Sequence, residues 1–167
     1  MKVLSKQRNS RMCIICGLDN DFGVKAPFYN MEDGSVMSKF RYHPNHQSYP
    51  GRVHGGMITA MLDELGLRGL WAFHNGDEKD FGVTIDLSTN FRKPVPYAAD
   101  LFAKGMVTRE TRRFFIVESR ILDPEGNVLA DGIVKYLKLD TSMIANGADV
   151  HEEMPYLITD DVTELLI

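Results

Sequence analysis

The hydrophobic and polar positions divide the chain into two short extended runs, one long apolar segment and four further extended runs. The first two runs, residues 24–28 and 34–42, are separated by Glu32, Asp33 and Gly34. These three residues favour a turn, and two extended runs around such a turn are typical of a β-hairpin. The sequence therefore predicts that a pair of antiparallel strands precedes the apolar segment.

The apolar segment, residues 53–73, follows a polar loop in which Pro44 and Pro50 exclude regular structure. Its length predicts the one long helix of the chain. The four later runs have strand character and span residues 82–91, 101–111, 114–122 and 128–139. Strands that do not alternate with helices predict an α+β class, in which an antiparallel sheet carries one helix. A further short helix is expected at residues 160–166.

The composition predicts a single domain, residues 1–167, with an N-terminal segment at 1–23 and a C-terminal extension at 141–167. With 44% hydrophobic and 25% charged residues, such a chain can bury a core without disulfides or a metal. The net charge of -4 argues against a nucleic-acid partner, which requires a surplus of Lys and Arg. No apolar run resembles a signal peptide or approaches the roughly 18 residues of a membrane span. We therefore expect a cytoplasmic protein without membrane association.

Two adjacent carboxylates lie on the predicted helix, and their surroundings differ. The helix is apolar on nearly all sides, as expected of a helix wrapped by a sheet. Asp63 falls on an apolar face, where a carboxylate is unfavourable unless it is hydrogen-bonded or takes part in chemistry. Glu64 precedes Arg68 by four residues, the preferred spacing for a helical ion pair. Glu64 thus has a structural explanation, whereas Asp63 is a candidate catalytic acid.

The predicted helix begins at His54, Gly55 and Gly56, and the two glycines have no side chain that could block a ligand. Free backbone N–H groups and the positive end of the helix dipole could stabilise a developing oxyanion there. The alternative is a glycine-rich turn without function. Gly56 and Asp63 are separated by about 10 Å along the helix axis, too far to act on one carbonyl. If both act on the same atom, the site lies at a two-fold dimer interface.

Three segments, in order, carry a resemblance to a known family. They cover residues 46–56 with 62–64, residues 82–84 with 90–96, and residues 112–115 with 123–126. On these segments the chain resembles the PaaI-like branch of the hot-dog-fold acyl-CoA thioesterase superfamily, with Ser48 standing where many relatives carry Gly. The resemblance extends over residues 13–139, which is most of the chain.

The resemblance implies a hot-dog fold, in which a curved antiparallel β-sheet wraps around one long central α-helix. It implies a homodimer, in some members a homotetramer, with the active site at the interface. It also implies hydrolysis of acyl-CoA thioesters to free acid and CoA, with no cofactor because CoA is part of the substrate. The family's acid falls on Asp63, its helix-start donors on His54, Gly55 and Gly56, and a strand hydroxyl found in some members on Thr84.

The expected mechanism needs only an oxyanion hole and a carboxylate. The helix-start N–H groups polarise the thioester carbonyl, while Asp63 of the partner chain activates water or attacks directly. Thr84 orients the water or the carboxylate, although a β-branched residue also suits a strand. The phosphates of CoA are expected to meet basic residues, namely Arg92, Lys93, Arg112 and Arg113. Solvated surface charge explains these four residues equally well.

Two other functions fit the same fold. A hydratase or dehydratase acting on acyl-thioesters carries a His five residues after the Asp, where this chain has Arg68. A non-catalytic acyl-CoA-binding module is the second alternative. A metal site could combine Cys13 and Cys16 with His43 and His46, but the spacing of these four residues is poor. We therefore expect no metal, and no disulfide framework.

Overall fold

One long helix and nine strands make up most of the fold, which the computed structural model describes for residues 1–145 and 147–166. The elements in chain order are β1 Val3–Lys6, β2 Arg8–Asn9, β3 Tyr29–Met31, β4 Val36–Phe40, a 3-10 helix Pro44–His46, α1 Gly55–Phe73, β5 Gly82–Phe91, β6 Leu101–Glu110, β7 Phe114–Leu122, β8 Val128–Lys138, α2 Thr141–Ile144 and β9 Tyr156–Leu157. Within these ranges, no helix is long and apolar enough to cross a membrane.

Seven of the strands form one antiparallel sheet in the order β1-β3-β4-β6-β7-β8-β5. Strand β5 lies at one edge, where it runs along β8 from the pair Gly82 and Lys138 to the pair Phe91 and Ala130. The short strands β2 and β9 pair with each other in a second sheet. The predicted α+β class, an antiparallel sheet with one long helix, is confirmed.

Helix α1 packs against the sheet and contacts strands β3 to β8. Its buried side chains occupy nearly every direction around the axis and include Ile58, Met61, Leu62, Leu65, Leu70 and Trp71. Burial of each such side chain stabilises the fold by about 1.5–3 kcal/mol. The prediction of a buried helix is therefore confirmed, with a start at Gly55 rather than at residue 53, because Val53 forms a β-bridge with Gln47 and His54 is extended.

The predicted hairpin exists, but its first strand is Tyr29–Met31 and not residues 24–28. The strands that pair are β3 and β4, joined across the predicted turn. Residues 24–28 instead run beside the N-terminal segment, where the N–H groups of Val24 and Ala26 donate to Ile14 and Ile15. Pro27 has no N–H to contribute to a ladder. The prediction of a strand at residues 24–28 is therefore wrong, since Lys25, at φ 57°, interrupts extended backbone there.

The short helix predicted at residues 160–166 is wrong. This segment is extended, and Glu164 forms a bridge with Lys2 beside the first strand. The Leu165 side chain is buried with Tyr29 and Phe102, and Asp160 accepts a hydrogen bond from the Tyr29 hydroxyl at 2.6 Å. Contacts with residues distant in sequence therefore override the local helical pattern. Strands β1, β2 and β9 and helix α2 are likewise absent from the sequence prediction.

Candidate active site

The start of α1 is capped by His54, whose backbone is extended at φ -63° and ψ 135°. The His54 Nδ1 accepts a hydrogen bond from the Gly56 N–H at 2.9 Å. The His54 carbonyl accepts from Met57 at 3.0 Å and from Ile58 at 3.2 Å. The prediction that Gly56 offers a free donor is therefore wrong, because the imidazole in the capping position already satisfies its N–H.

Gly55 is the first-turn residue whose N–H has no acceptor among residues 1–145 and 147–166. This N–H lies at the positive end of the helix dipole. A Cβ on Gly55 would lie 3.4 Å from the Phe91 ring, so the helix start borders the end of β5. Gly55 also lines a surface pocket of about 380 Å³, together with Tyr49, Arg52 and Phe91. The helix start thus offers one donor, facing a pocket.

Asp63 lies two turns further along α1, half-buried, and points toward β5 and β8. Its Oδ1 accepts a hydrogen bond from the Thr84 hydroxyl at 2.6 Å and one from the Tyr136 hydroxyl at 3.1 Å. In the described part of the chain, no donor reaches Oδ2. The structure therefore brings Asp63 and Thr84 together as the family pattern implies, and one carboxylate oxygen stays available.

Tyr136 is a member of this group that the sequence did not indicate. Its one hydroxyl proton is shared between Asp63 Oδ1 and the Asp63 carbonyl, which is closer at 2.7 Å, and its ring stacks on Phe115 with centroids 5.0 Å apart. Burial raises the pKa of Tyr136 well above its usual value, and the negative charge of Asp63 adds to this effect. Tyr136 therefore remains protonated and donates to the carboxylate.

The approach of Tyr136 to the helix depends on Gly66. A Cβ on Gly66 would lie 2.1 Å from Tyr136 Cε2, well inside van der Waals contact. Only glycine leaves room for the ring to pass beside the helix and reach Asp63. The Gly66 position in an otherwise apolar helix is the one sequence signal that could have indicated a close neighbour.

Glu64 faces away from this group, and its predicted ion pair with Arg68 is confirmed. Arg68 Nε donates to Glu64 Oε1 at 2.9 Å. The Arg68 side chain is only 2% exposed, and its guanidinium stacks between the rings of Phe28 and Trp71. Glu64 therefore compensates a buried charge and takes no part in the Asp63 group.

The four basic residues expected at CoA phosphates fall into two separate pairs. Arg92 and Lys93 follow β5 and line the pocket beside Gly55, and the Arg92 guanidinium binds Asp131 with both Nε and Nη2. Arg112 and Arg113 lie in the turn between β6 and β7, at the opposite end of β5, where the Arg113 carbonyl accepts from Lys138. Within one chain, these two pairs do not form a single basic patch.

The four residues weighed as a metal site do not assemble. His46 Nε2 pairs with the Phe22 carbonyl at 2.7 Å, and His46 Nδ1 accepts from the His43 N–H. Both cysteines have free thiols and gather with Glu64 instead of the histidines. The histidines thus hold the loop that leads to α1.

Comparison with known proteins agrees with this geometry. Residues 50–130 match the model of the thioesterase superfamily, a range that includes the helix start, Asp63 and Thr84. Over this range the chain is similar to the thioesterase superfamily. The resemblance seen in the sequence is confirmed at this level, and the PaaI-like branch stays a prediction.

The similar proteins include acyl-coenzyme A thioesterase THEM4 from Rattus norvegicus, 26% identical over 69% of this chain and 48% of that protein. The chain thus spans about half the length of this curated relative. Among solved structures, the thioesterase superfamily protein RHA08564 has a TM-score of 0.66 and 24% identity over 75% of this chain and 63% of that one. A hypothetical thioesterase protein with coenzyme A from Streptococcus pneumoniae TIGR4 has a TM-score of 0.61 and 20% identity over 69% and 86% of the two chains. The predicted hot-dog fold is therefore confirmed.

Proposed function

We propose that this protein hydrolyses acyl-CoA thioesters to free acid and CoA. The observation that carries the proposal is the Asp63 carboxylate, held on one oxygen by the Thr84 and Tyr136 hydroxyls on the helix whose first N–H, at Gly55, is free to bind an oxyanion. The name of the rat relative and the coenzyme A of the Streptococcus pneumoniae structure support acyl-CoA as the substrate class. A thiolate is a good leaving group, so the reaction requires little acid assistance.

In the proposed reaction, the Gly55 N–H donates to the thioester carbonyl oxygen and stabilises the negative charge that develops on it. Asp63 Oδ2 removes a proton from water, and the resulting hydroxide adds to the carbonyl carbon. Collapse of the intermediate breaks the carbon–sulfur bond, and the proton passes to the departing CoA sulfur. Thr84 and Tyr136 hold the carboxylate in one orientation, since both donate to Oδ1.

We propose further that two chains share each site. Gly55 and Asp63 are eight residues apart, about 12 Å along the helix. Gly55 borders Phe91 at the end of β5, whereas Asp63 binds Thr84 near its beginning. If two copies of β5 pair antiparallel about an axis near the strand's middle, the end of one strand meets the beginning of the other. Gly55 of one chain then lies beside Asp63 of its partner.

The exposed edge of β5 supports this pairing. The strand is ten residues long, and within the described ranges it pairs only with β8. Its side chains Ile85 and Phe91 are 50% and 58% exposed. A long strand edge with unpaired backbone groups and two exposed apolar side chains associates readily unless it is covered. A homodimer covers the edge and completes the site in one step.

The same pairing accounts for the two separated basic pairs. Gly82, at the beginning of β5, would lie opposite Phe91 at the end of the partner's β5, directly before the partner's Arg92 and Lys93. Arg113 lies two strands away from Gly82, beyond β8, so the two pairs would be separated by about three strand spacings, roughly 14 Å. Such a distance fits the extended, multiply charged phosphate portion of CoA. The proposed dimer therefore places Arg92 and Lys93 of one chain on the same side of the site as the turn of the other chain that carries Arg112 and Arg113.

Replacement of the carboxylate tests the proposal. Asp63→Asn keeps the shape of the side chain and removes the base, so kcat for acyl-CoA hydrolysis should fall at least about 100-fold. Thiol release from a panel of short-chain, long-chain and aryl acyl-CoAs measures the effect, and it also identifies the preferred acyl group. Asp161→Asn, an exposed position far along the chain, is the matched control and should hydrolyse at the wild-type rate.

Retained turnover in a folded Asp63→Asn protein would overturn the mechanism. Tight acyl-CoA binding by the wild-type protein without thiol release would instead favour a non-catalytic binding module. Formation of a hydroxyacyl product with the thioester intact would identify a hydratase.

A further inference from the structure

Two cysteines and a glutamate that the proposed reaction does not use converge beside α1. Cys13 and Cys16 lie in the N-terminal segment, and Glu64 lies on the helix. Their ligand atoms are all within 4.8 Å of one another, and Cys13 Sγ is 3.5 Å from Glu64 Oε2. Both thiols are free. The three side chains thus bring two sulfur ligands and one carboxylate oxygen together, on a different side of the helix from Asp63.

The loop that carries the cysteines holds both sulfurs in place. The Gly17 N–H donates to the Cys13 carbonyl at 2.8 Å, and the Ile15 N–H donates to Cys13 Sγ at 3.4 Å. Ser10 Oγ lies 3.2 Å from Cys16 Sγ. A Cβ on Gly17 would lie 2.4 Å from the Cys13 carbonyl oxygen, so only glycine permits so tight a turn. The sulfurs are therefore oriented by the backbone before any ligand binds.

The distance between Cys13 and Glu64 fits tetrahedral coordination. Zinc binds thiolate sulfur at about 2.3 Å and carboxylate oxygen at about 2.0 Å, so the sulfur and oxygen of a tetrahedral site are about 3.5 Å apart. This separation equals the one between Cys13 Sγ and Glu64 Oε2. No backbone movement is needed for Cys13 and Glu64 to share one ion.

The charges also balance around such an ion. A divalent cation with two thiolates and one carboxylate carries one net negative charge, and the buried Arg68 guanidinium compensates it. Arg68 holds Glu64 Oε1 at 2.9 Å, which leaves Oε2 directed toward the sulfurs. A carboxylate that binds a metal with one oxygen commonly accepts a hydrogen bond on the other, as Glu64 does from Arg68.

The group is largely closed off from solvent. Cys16 is only 2% exposed, and Cys13 and Glu64 are partly buried. A ligand group that is shielded from water on most sides is suited to holding one cation.

We propose that Cys13, Cys16 and Glu64 bind a divalent cation of the zinc type, with a solvent molecule as fourth ligand. The ion fastens the N-terminal segment to the middle of α1. This site is independent of the proposed thioesterase reaction, because none of its three ligand side chains forms a hydrogen bond with Asp63, Thr84 or Gly55. Three protein ligands distinguish it from closed four-ligand structural sites.

Metal binding to the wild-type protein is the first test. Protein without a histidine tag is reduced, freed of metal and titrated with Zn²⁺ or Co²⁺. We expect about one bound ion per chain and, with Co²⁺, the visible and near-ultraviolet bands of a tetrahedral cobalt thiolate. Zn²⁺ at a hundredfold excess over Kd should raise Tm by roughly 5–10 °C. Absence of binding, or a Cys13–Cys16 disulfide that forms readily in air in place of metal uptake, would overturn the proposal.

Variants then assign the ligands. Cys13→Ser should weaken both the cobalt thiolate bands and Zn²⁺ binding, since one of the two sulfur ligands is lost. Glu64→Gln should weaken Zn²⁺ binding at least about tenfold while it keeps a hydrogen-bond acceptor for Arg68. Glu152→Gln, an exposed position, is the matched control for Glu64→Gln and should bind as the wild type does. Unchanged Zn²⁺ affinity in folded Cys13→Ser would show that these residues are not the ligands.

Discussion

The most direct test of the proposed oxyanion hole is Gly55→Pro, because proline removes one N–H and little else. Gly55 is the first residue of α1, the helix position that proline occupies most readily. The preceding residue must be extended, and His54 already is, with ψ at 135°. The other first-turn N–H groups keep their acceptors. The substitution should therefore leave α1 intact.

The expected magnitude follows from the number of donors. In the described structure the helix start offers one free N–H, at Gly55, since His54 accepts the hydrogen bonds of Gly56, Met57 and Ile58. Loss of a single oxyanion-hole donor lowers kcat by about 100- to 1,000-fold, equivalent to about 2.7–4 kcal/mol. We expect this loss in Gly55→Pro, with a Tm close to that of the wild-type protein.

Gly55→Ala is the matched control, since alanine keeps the N–H. Its methyl group would lie 3.4 Å from the Phe91 ring, an ordinary van der Waals contact. We expect kcat within about threefold of wild type for this variant, because the donor that stabilises the transition state remains. Both variants are assayed by thiol release, with folding monitored by circular dichroism. Equal activity of folded Gly55→Pro and Gly55→Ala would refute the role of this N–H, whether both retain wild-type activity or both lose it equally through crowding of the pocket.

Two further predictions concern the partner chain and Tyr136. We expect Gly55→Pro and Asp63→Asn chains, mixed and reassociated, to recover about a quarter of wild-type activity. Half of the random dimers are heterodimers, and each heterodimer contains one intact shared site out of two. No recovery in proven heterodimers would place the site within one chain. Tyr136→Phe should lower kcat by about tenfold or more through loss of a hydrogen bond to a charged group, and an unchanged kcat would show that Thr84 alone orients Asp63.

The elements that follow from local pattern were predictable, and those that depend on distant partners were not. Helix α1 and strands β5 to β8 have sequence periodicities that only one structure satisfies, so their bounds agree within two residues. The first hairpin strand and the segment 160–166 are different, because both are positioned by chain that is remote in sequence. Leu165, for example, is buried beside Tyr29, and no local signal near residue 165 specifies that neighbour.

The residues of the candidate site likewise divide into those that the sequence indicates and those that it does not. Asp63 was indicated because an unpaired carboxylate on an apolar helix face is unfavourable, a property that the sequence alone displays. Tyr136 was not indicated, because an aromatic residue on a strand is ordinary. Its contact with Asp63 depends on the pairing of β8 with both β5 and β7, and on the space that Gly66 provides. The His54 cap depends on the orientation of the imidazole ring, which a pattern of residue types does not specify.

The adjacent carboxylates Asp63 and Glu64 show how one helix can serve two separate sites. Successive residues point about 100° apart, so Asp63 faces the sheet edge while Glu64 faces the N-terminal segment. Arg68 compensates Glu64 directly, which limits repulsion between the two acids. A cation bound by Cys13, Cys16 and Glu64 would then rigidify the middle of α1 without entering the pocket. We therefore expect metal removal to lower Tm while it leaves the acyl-CoA preference unchanged, since different faces of the helix carry the two functions.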